Sequence, residues 1–68
     1  MPDIKKIVGQ NIKKYRIEKG WKQSTLSSES SLNRTYISQI ERGEKNIGLV
    51  NLEKIAKALG INIQKLFS

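Results

Sequence analysis

The sequence contains no cysteine and no histidine. The first absence excludes disulfides and thiolate metal sites; the second removes the usual zinc ligand and the commonest general base. An enzymatic role is therefore poorly supported, and 68 residues leave no room for a sizeable concave pocket. No metal, cofactor or small-molecule ligand is implied. Acidic residues are few: six Asp and Glu stand against thirteen Lys and Arg, a formal net charge of +7. Phe, Trp and Tyr total four, which offers few stacking platforms for RNA bases. No apolar run approaches the ~20 residues of a spanning helix, and the opening MPDIKKIVGQ lacks the long apolar region of a secretion signal. A cytoplasmic protein without membrane association is expected.

What is present is positive charge and helical periodicity. A charge of +7 on so small a surface makes a strong positive field, suited to nucleic acid or an anionic membrane. A merely solvated basic surface gives the same count, so charge describes association and does not mark a site. A short chain that folds without staples needs well-packed helices or a partner subunit. One domain over 1–68 is expected.

Ile4, Ile7, Val8, Ile12 and Tyr15 fall at offsets 0, 3, 4, 8 and 11, one stripe of a first helix over 4–19. Lys5, Lys6, Lys13 and Lys14 lie beside that stripe, with Asp3 as N-cap and Gly20 as stop. The four lysines are expected to be a solvated face that adds to non-specific affinity for a polyanion. Trp21 then turns back toward the core. Residues 23–30, QSTLSSES, look locally like a linker, because serine competes for its own backbone. Yet no glycine or proline separates Trp21 from Ile40, and Leu26 supplies a buried anchor. The stretch is expected to be a short helix held by tertiary packing.

Asn33 is the N-cap of a third helix over 34–42, with Ile37 and Ile40 inward and Gly43 as its stop. After the loop EKNIG, a fourth helix near 50–59 carries Leu52, Ile55, Ala56 and Leu59, and Gly60 caps it. Asn62 opens a last short helix with Ile63, Leu66 and Phe67. Nothing alternates with period two, and there is no internal repeat. The expected fold is all-α, a compact bundle of five short helices.

Two short helices joined by a tight turn, the second exposing polar side chains, form a helix-turn-helix. Its second helix enters the DNA major groove with its N-terminal residues at base edges. Arginine contacts guanine bidentately, glutamine contacts adenine, and a threonine methyl meets the thymine methyl. A polar helix that is simply solvated would show the same residue types.

The stretch GWKQSTLSSESSLNRTYISQIERGEKNIGLVNLEKIAKALGI resembles the Xre, or lambda-repressor-like, helix-turn-helix family. The likeness runs over about 8–67, and its marks are Arg16, Gln23, Leu26, RTYISQIERG and LEKIAKALGI. Within that family, NRTYISQIERGEKNIGLVNLEKI is most similar to the controller proteins of restriction–modification systems, small dimeric regulators. The resemblance implies a transcriptional regulator that binds a palindromic operator in double-stranded DNA as a homodimer, without cofactor. It implies base contacts from Arg34, Thr35 and Gln39. Tyr36 would touch a thymine methyl or a phosphate, or else be partly buried against the turn. Phosphate contacts are implied for Gln23 at the start of the second helix, Asn33, Ser38, Arg42, Lys45 and Asn46. Asn33 also serves as a cap, and Arg42 reads equally as a solvated charge. The serines of the second helix would pack closely and extend hydroxyls to phosphates.

In the family the pair matching Arg16 and Glu41 forms a salt bridge from the first helix to the recognition helix; two solvated charges are the alternative. The chain departs from the family pattern at Ser27, where alanine is frequent, and at Ser31, where glycine is. Ser31 needs either a left-handed backbone or a different turn. Ile47, Leu49, Val50, Ile63 and Phe67 exceed what so small a core encloses, which marks them as the dimer interface. For Leu49 and Ile63, completion of the monomer core is the competing assignment. A rival function is a protein-interaction module, such as an antitoxin or adaptor. That would expose apolar residues on the third helix in place of Arg, Thr and Gln.

Overall fold

Asp3 opens the first helix by accepting a hydrogen bond on Oδ1 from the Lys5 amide at 3.0 Å. The computed structural model describes residues 3–68, so Met1 and Pro2 of the expected domain lie outside the described residues. Helix α1 runs Ile4–Glu18 and ends a residue earlier than its spacing predicts, with Lys19 as C-cap. Val8 and Ile12 are buried in it, while Ile4 is more than half exposed. The apolar stripe thus enters the core only after the first turn. Gly9 is also buried, for a reason that periodicity does not carry. A Cβ there would stand 2.2 Å from the Ile40 carbonyl oxygen, so only glycine lets these two backbones meet.

The serine-rich stretch is helix α2, Gln23–Ser30. Two of its hydroxyls are turned inward and do not reach outward as expected. Ser30 Oγ donates to the Leu26 carbonyl at 2.7 Å, and Ser27 Oγ donates to the Leu32 carbonyl. Small polar side chains here satisfy backbone acceptors at the helix end and let Leu26 reach the core. Ser31 takes the left-handed conformation, φ 61° and ψ 27°. The departure from glycine is therefore absorbed as backbone strain, and the turn itself is preserved.

Helix α3, Arg34–Glu41, starts at Asn33, whose Oδ1 accepts from the Thr35 amide at 2.7 Å. Arg42 is its C-cap and not its last turn. Helix α4, Leu49–Leu59, begins a residue before its predicted start and ends at Gly60, φ 70°. The fifth element completes the expected count but differs in type. Ile63–Phe67 is a 3₁₀ helix, opened by Asn62 accepting from the Gln64 amide. Five residues make barely one α-turn, and the tighter i→i+3 bond closes in that length. The described residues thus form four α-helices and a closing 3₁₀ helix, without strands.

Helix α1 packs against α3 and the 3₁₀ helix, while α2 packs against α3 and α4. Their shared core is Val8, Ile12, Leu26, Ile37, Ile40, Leu52, Ile55, Ala56, Leu59 and Leu66. Asn11 Nδ2 donates to the Leu66 carbonyl at 2.9 Å, which fastens the 3₁₀ helix across the bundle. Ile47 and Ile63 lean on this core and are only partly exposed. Leu49, in contrast, is 77% exposed, which overturns its assignment to the monomer core; Val50 is 69% exposed. No helix among the described residues is long and apolar enough to cross a membrane.

Candidate nucleic-acid interface

Helix α3 divides cleanly into an inner and an outer face. Ile37 and Ile40 are buried, with the hydrophobic core on that side. On the other side Arg34, Thr35, Ser38 and Arg42, together with Gln23 of α2, line a shallow groove of about 300 Å³. Offsets of 0, 1, 4 and 8 keep those four side chains on one helical face. Arg34 and Thr35 are exposed at the N-terminal end of the helix. That is the end which reads base edges in a helix-turn-helix.

The other two residues expected at base edges are each half-buried. Gln39 is half-buried and does not line the groove. Tyr36 is half-buried and packs against the core, and its hydroxyl accepts from Asn51 Nδ2 of α4 at 3.2 Å. The structure therefore joins Arg34 and Thr35 in one surface and sets Tyr36 beside α4.

Beneath this surface lies a buried ion pair. Arg16 Nε and Nη2 donate to the two oxygens of Glu41 at 2.7 and 2.9 Å, and Nη1 donates to the Trp21 carbonyl at 2.8 Å. Arg16 and Glu41 are 8% and 7% exposed. A planar fork facing a carboxylate fixes orientation as well as distance, so α1 holds the last residue of α3 in place. Gln23 joins the same network, its Nε2 donating to Glu41 Oε1 at 3.1 Å. Its amide is thereby oriented from below while the side chain borders the groove. Lys22, the N-cap of α2, makes no side-chain capping bond. The first-turn N–H groups of α2, next to Gln23, thus carry the partial positive charge that favours a phosphate.

The remaining phosphate candidates differ in their surroundings. Lys45 and Asn46 are exposed in the loop between α3 and α4. Asn33 is exposed, and its side-chain Oδ1 is engaged in the cap. Ser38 Oγ accepts from Arg42 Nη1 at 2.7 Å. Arg42 is also held by Glu44, through Nε to Oε2 at 2.8 Å and Nη2 to Oε1 at 3.1 Å. The hydrogen bond and charge of Glu44 raise the Arg42 pKa, and the hydrogen bond from Arg42 lowers that of Glu44. Both groups are exposed, so this pair is screened by water and salt.

Glu44 and Asn51 were not singled out by the sequence. The Ser38–Arg42 contact was legible as an i, i+4 pair on one helix. Arg42 and Glu44 are only two apart, with Gly43 at φ 73° between them, so no helical periodicity announces their meeting. The Tyr36–Asn51 bond depends on how α4 docks. Among the described residues no three His, Cys, Asp or Glu side chains gather as a metal site would require.

Comparison with known proteins places these features. The helix-turn-helix family profile matches residues 12–66. Control protein C.MunI from a Mycoplasma species is 48% identical over 69 residues, covering all of this chain and 93% of that protein. A hypothetical transcription factor from Neisseria meningitidis is 41% identical over 64 residues; the chain spans 60% of its length. The restriction–modification controller protein C.AhdI from Aeromonas hydrophila superposes with a TM-score of 0.90 at 41% identity, covering 93% of this chain and 96% of that one. The controller protein C.Esp1396I, solved as a tetramer in complex with its natural 35 base-pair operator, gives 0.85 at 36% identity over the whole of both chains.

Proposed function

The chain belongs to the helix-turn-helix family, with restriction–modification control proteins among its relatives, and from that premise we propose a sequence-specific, DNA-binding transcriptional regulator. It acts as one domain, without enzymatic activity or cofactor, in the cytoplasm. The observation that carries this is the outer face of α3: Arg34 and Thr35 stand exposed at its N-terminal end in a groove bordered by Gln23 and Arg42. Arg34 reads a guanine edge, and Thr35 offers its methyl to thymine. The first turn of α2, Gln23, Lys45 and Asn46 grip the backbone on either side. Tyr36, steadied by Asn51, lies at the edge of this footprint.

One such domain is too small a reader. A few base contacts of about 1–3 kcal/mol each do not single out one site in a genome. Two copies about a two-fold axis double the discrimination and read a palindrome with half-sites about 34–36 Å apart. The exposed Leu49, Val50 and Phe67 supply the apolar surface for pairing. With Ile4 and Ile47, Leu49 and Phe67 border an apolar cleft of about 140 Å³ that shares no residue with the α3 groove. Pairing there leaves Arg34 and Thr35 open to DNA, while Asn46, which also lines the cleft, lies where the two contacts meet. The rival reading as a protein-interaction module places its apolar surface on α3, where the exposed residues are polar.

The test combines footprinting upstream of the chain's own gene with sedimentation of the free protein and its complex. A protected palindrome bound by two chains is expected. A protein that stays monomeric at micromolar concentration and binds a palindrome one to one rejects the dimer. Absence of any protected site, with no preference over random duplex, rejects the regulator.

A further inference from the structure

Arg42 sits in the groove with Arg34 and Thr35, yet its guanidinium is already occupied: Glu44 takes Nε and Nη2, and Ser38 takes Nη1. Glu44 is exposed, and it also borders a second groove, lined by Lys6, Gln10 and Lys13 of α1 with Glu41 and Arg42. An exposed carboxylate at the junction of two basic surfaces is misplaced for a protein that gathers phosphates. Glu41 is buried and neutralised by Arg16, so Glu44 is the accessible acid of this groove.

Resting on the DNA-binding reading above, we infer that Glu44 is an intramolecular competitor of the DNA backbone, holding Arg42 in the free protein and yielding it to a phosphate when DNA enters the groove. The carboxylate imitates the ligand: two oxygens meet two guanidinium N–H groups, as phosphate oxygens do. The exchange is easy because a half-exposed ion pair is weak. Arg42 is therefore kept from random DNA without being locked. A phosphate delivered in register by the Arg34 contacts displaces Glu44, whereas a passing backbone gains less. Glu44 thus lowers non-specific affinity and sharpens the preference for operator.

The measurement is a titration of operator and random duplexes, from about 50 to about 200 mM salt, with wild type, Glu44→Gln, Arg42→Ala and the double variant. Glu53→Gln, which removes the same charge from α4, is the control for net charge. Glu44→Gln is expected to tighten binding at low salt by up to about fivefold, with the larger gain on random duplex. On random duplex its slope of log affinity against log salt becomes steeper by about one, the signature of one more neutralised phosphate, while on operator, where wild type already yields Arg42, the slope is unchanged. In the Arg42→Ala background the same change leaves the slope where it was, and Glu53→Gln moves no slope. A Glu44→Gln gain that persists without Arg42, or matches that of Glu53→Gln, overturns the exchange and leaves only general repulsion. Unchanged affinity overturns it as well. If wild type itself shows no DNA binding, the regulator reading fails and the inference falls with it.

Discussion

Two Arg–Glu pairs of nearly equal length stand in this molecule, 2.7 Å for Arg16–Glu41 and 2.8 Å for Arg42–Glu44. Their side chains are 10% and 3% exposed in the first, and 56% and 53% in the second. Distance therefore says nothing of their worth. Water screens the outer pair and offers each partner an alternative, so it forms and breaks at little cost. The inner pair has no such alternative, because removing one partner strands a buried charge. The first shapes the molecule; the second is available to a ligand.

The largest expected effect breaks the inner pair. Arg16→Ala leaves Glu41 with only Gln23 as side-chain donor and should cost about 3–5 kcal/mol. At roughly 0.05–0.15 kcal/mol per residue, a chain of this length has only about 3–10 kcal/mol to lose. Urea unfolding should show a variant that is largely unfolded or close to it. Arg42→Ala, in the same assay, should leave the midpoint unmoved. Equal shifts in the two variants would dissolve the distinction between the pairs.

Next comes the backbone contact beside the inner pair. Gly9→Ala drives a methyl against the Ile40 carbonyl, which cannot swing aside as a side chain would. A loss of about 3 kcal/mol is expected, at the upper end for overpacking. A variant as stable as wild type would mean that α1 and α3 can separate without harm.

Arg34→Ala carries the contrast from stability to binding. It should weaken operator binding by about 1–3 kcal/mol and relax preference at one base pair, with an unchanged unfolding midpoint. Equal losses on operator and random duplex would reassign Arg34 to the backbone. Lys45→Ala should lower affinity for all sequences alike and flatten the salt dependence by about one.

The smallest effect concerns the turn. Ser31→Gly removes a left-handed strain of about 1–2 kcal/mol but adds about 0.5–1 kcal/mol of backbone entropy cost. A net gain of roughly 0.5 kcal/mol is expected in urea unfolding, small beside the Arg16 loss. A destabilised variant would show that the serine hydroxyl contributes more than its backbone conformation costs.

Local chemistry made much of the architecture legible. Asp3, Asn33 and Asn62 each cap the element that follows, because a short acceptor side chain before an apolar stripe satisfies an orphan amide wherever it occurs. Gly20 and Gly60 mark stops for a similar reason, since a left-handed residue ends a helix with little regard to its neighbours. The outer face of α3 follows from spacing alone: once Ile37 and Ile40 turn inward, Arg34, Thr35 and Ser38 must turn out. The sequence by itself thus determined helices, caps, charge and the polar character of the exposed surface.

What depended on the approach of distant segments was decided by the tertiary structure. Serine hydroxyls expected at phosphates close backbone acceptors at the end of α2, and the Gln23 amide is drawn to Glu41, eighteen residues away. Tyr36 is oriented by Asn51, fifteen residues on, and Leu49 is left in solvent while Ile47 and Ile63 lean on the core. Gly9 explains itself only beside the Ile40 carbonyl. Arginine or serine exposes the same atoms to every partner, and no local rule says which partner the packed helices will bring within 3 Å. That choice belongs to the docking of α1 and α4 on the helix-turn-helix, and it separates the cations that hold the fold from those left free to meet DNA.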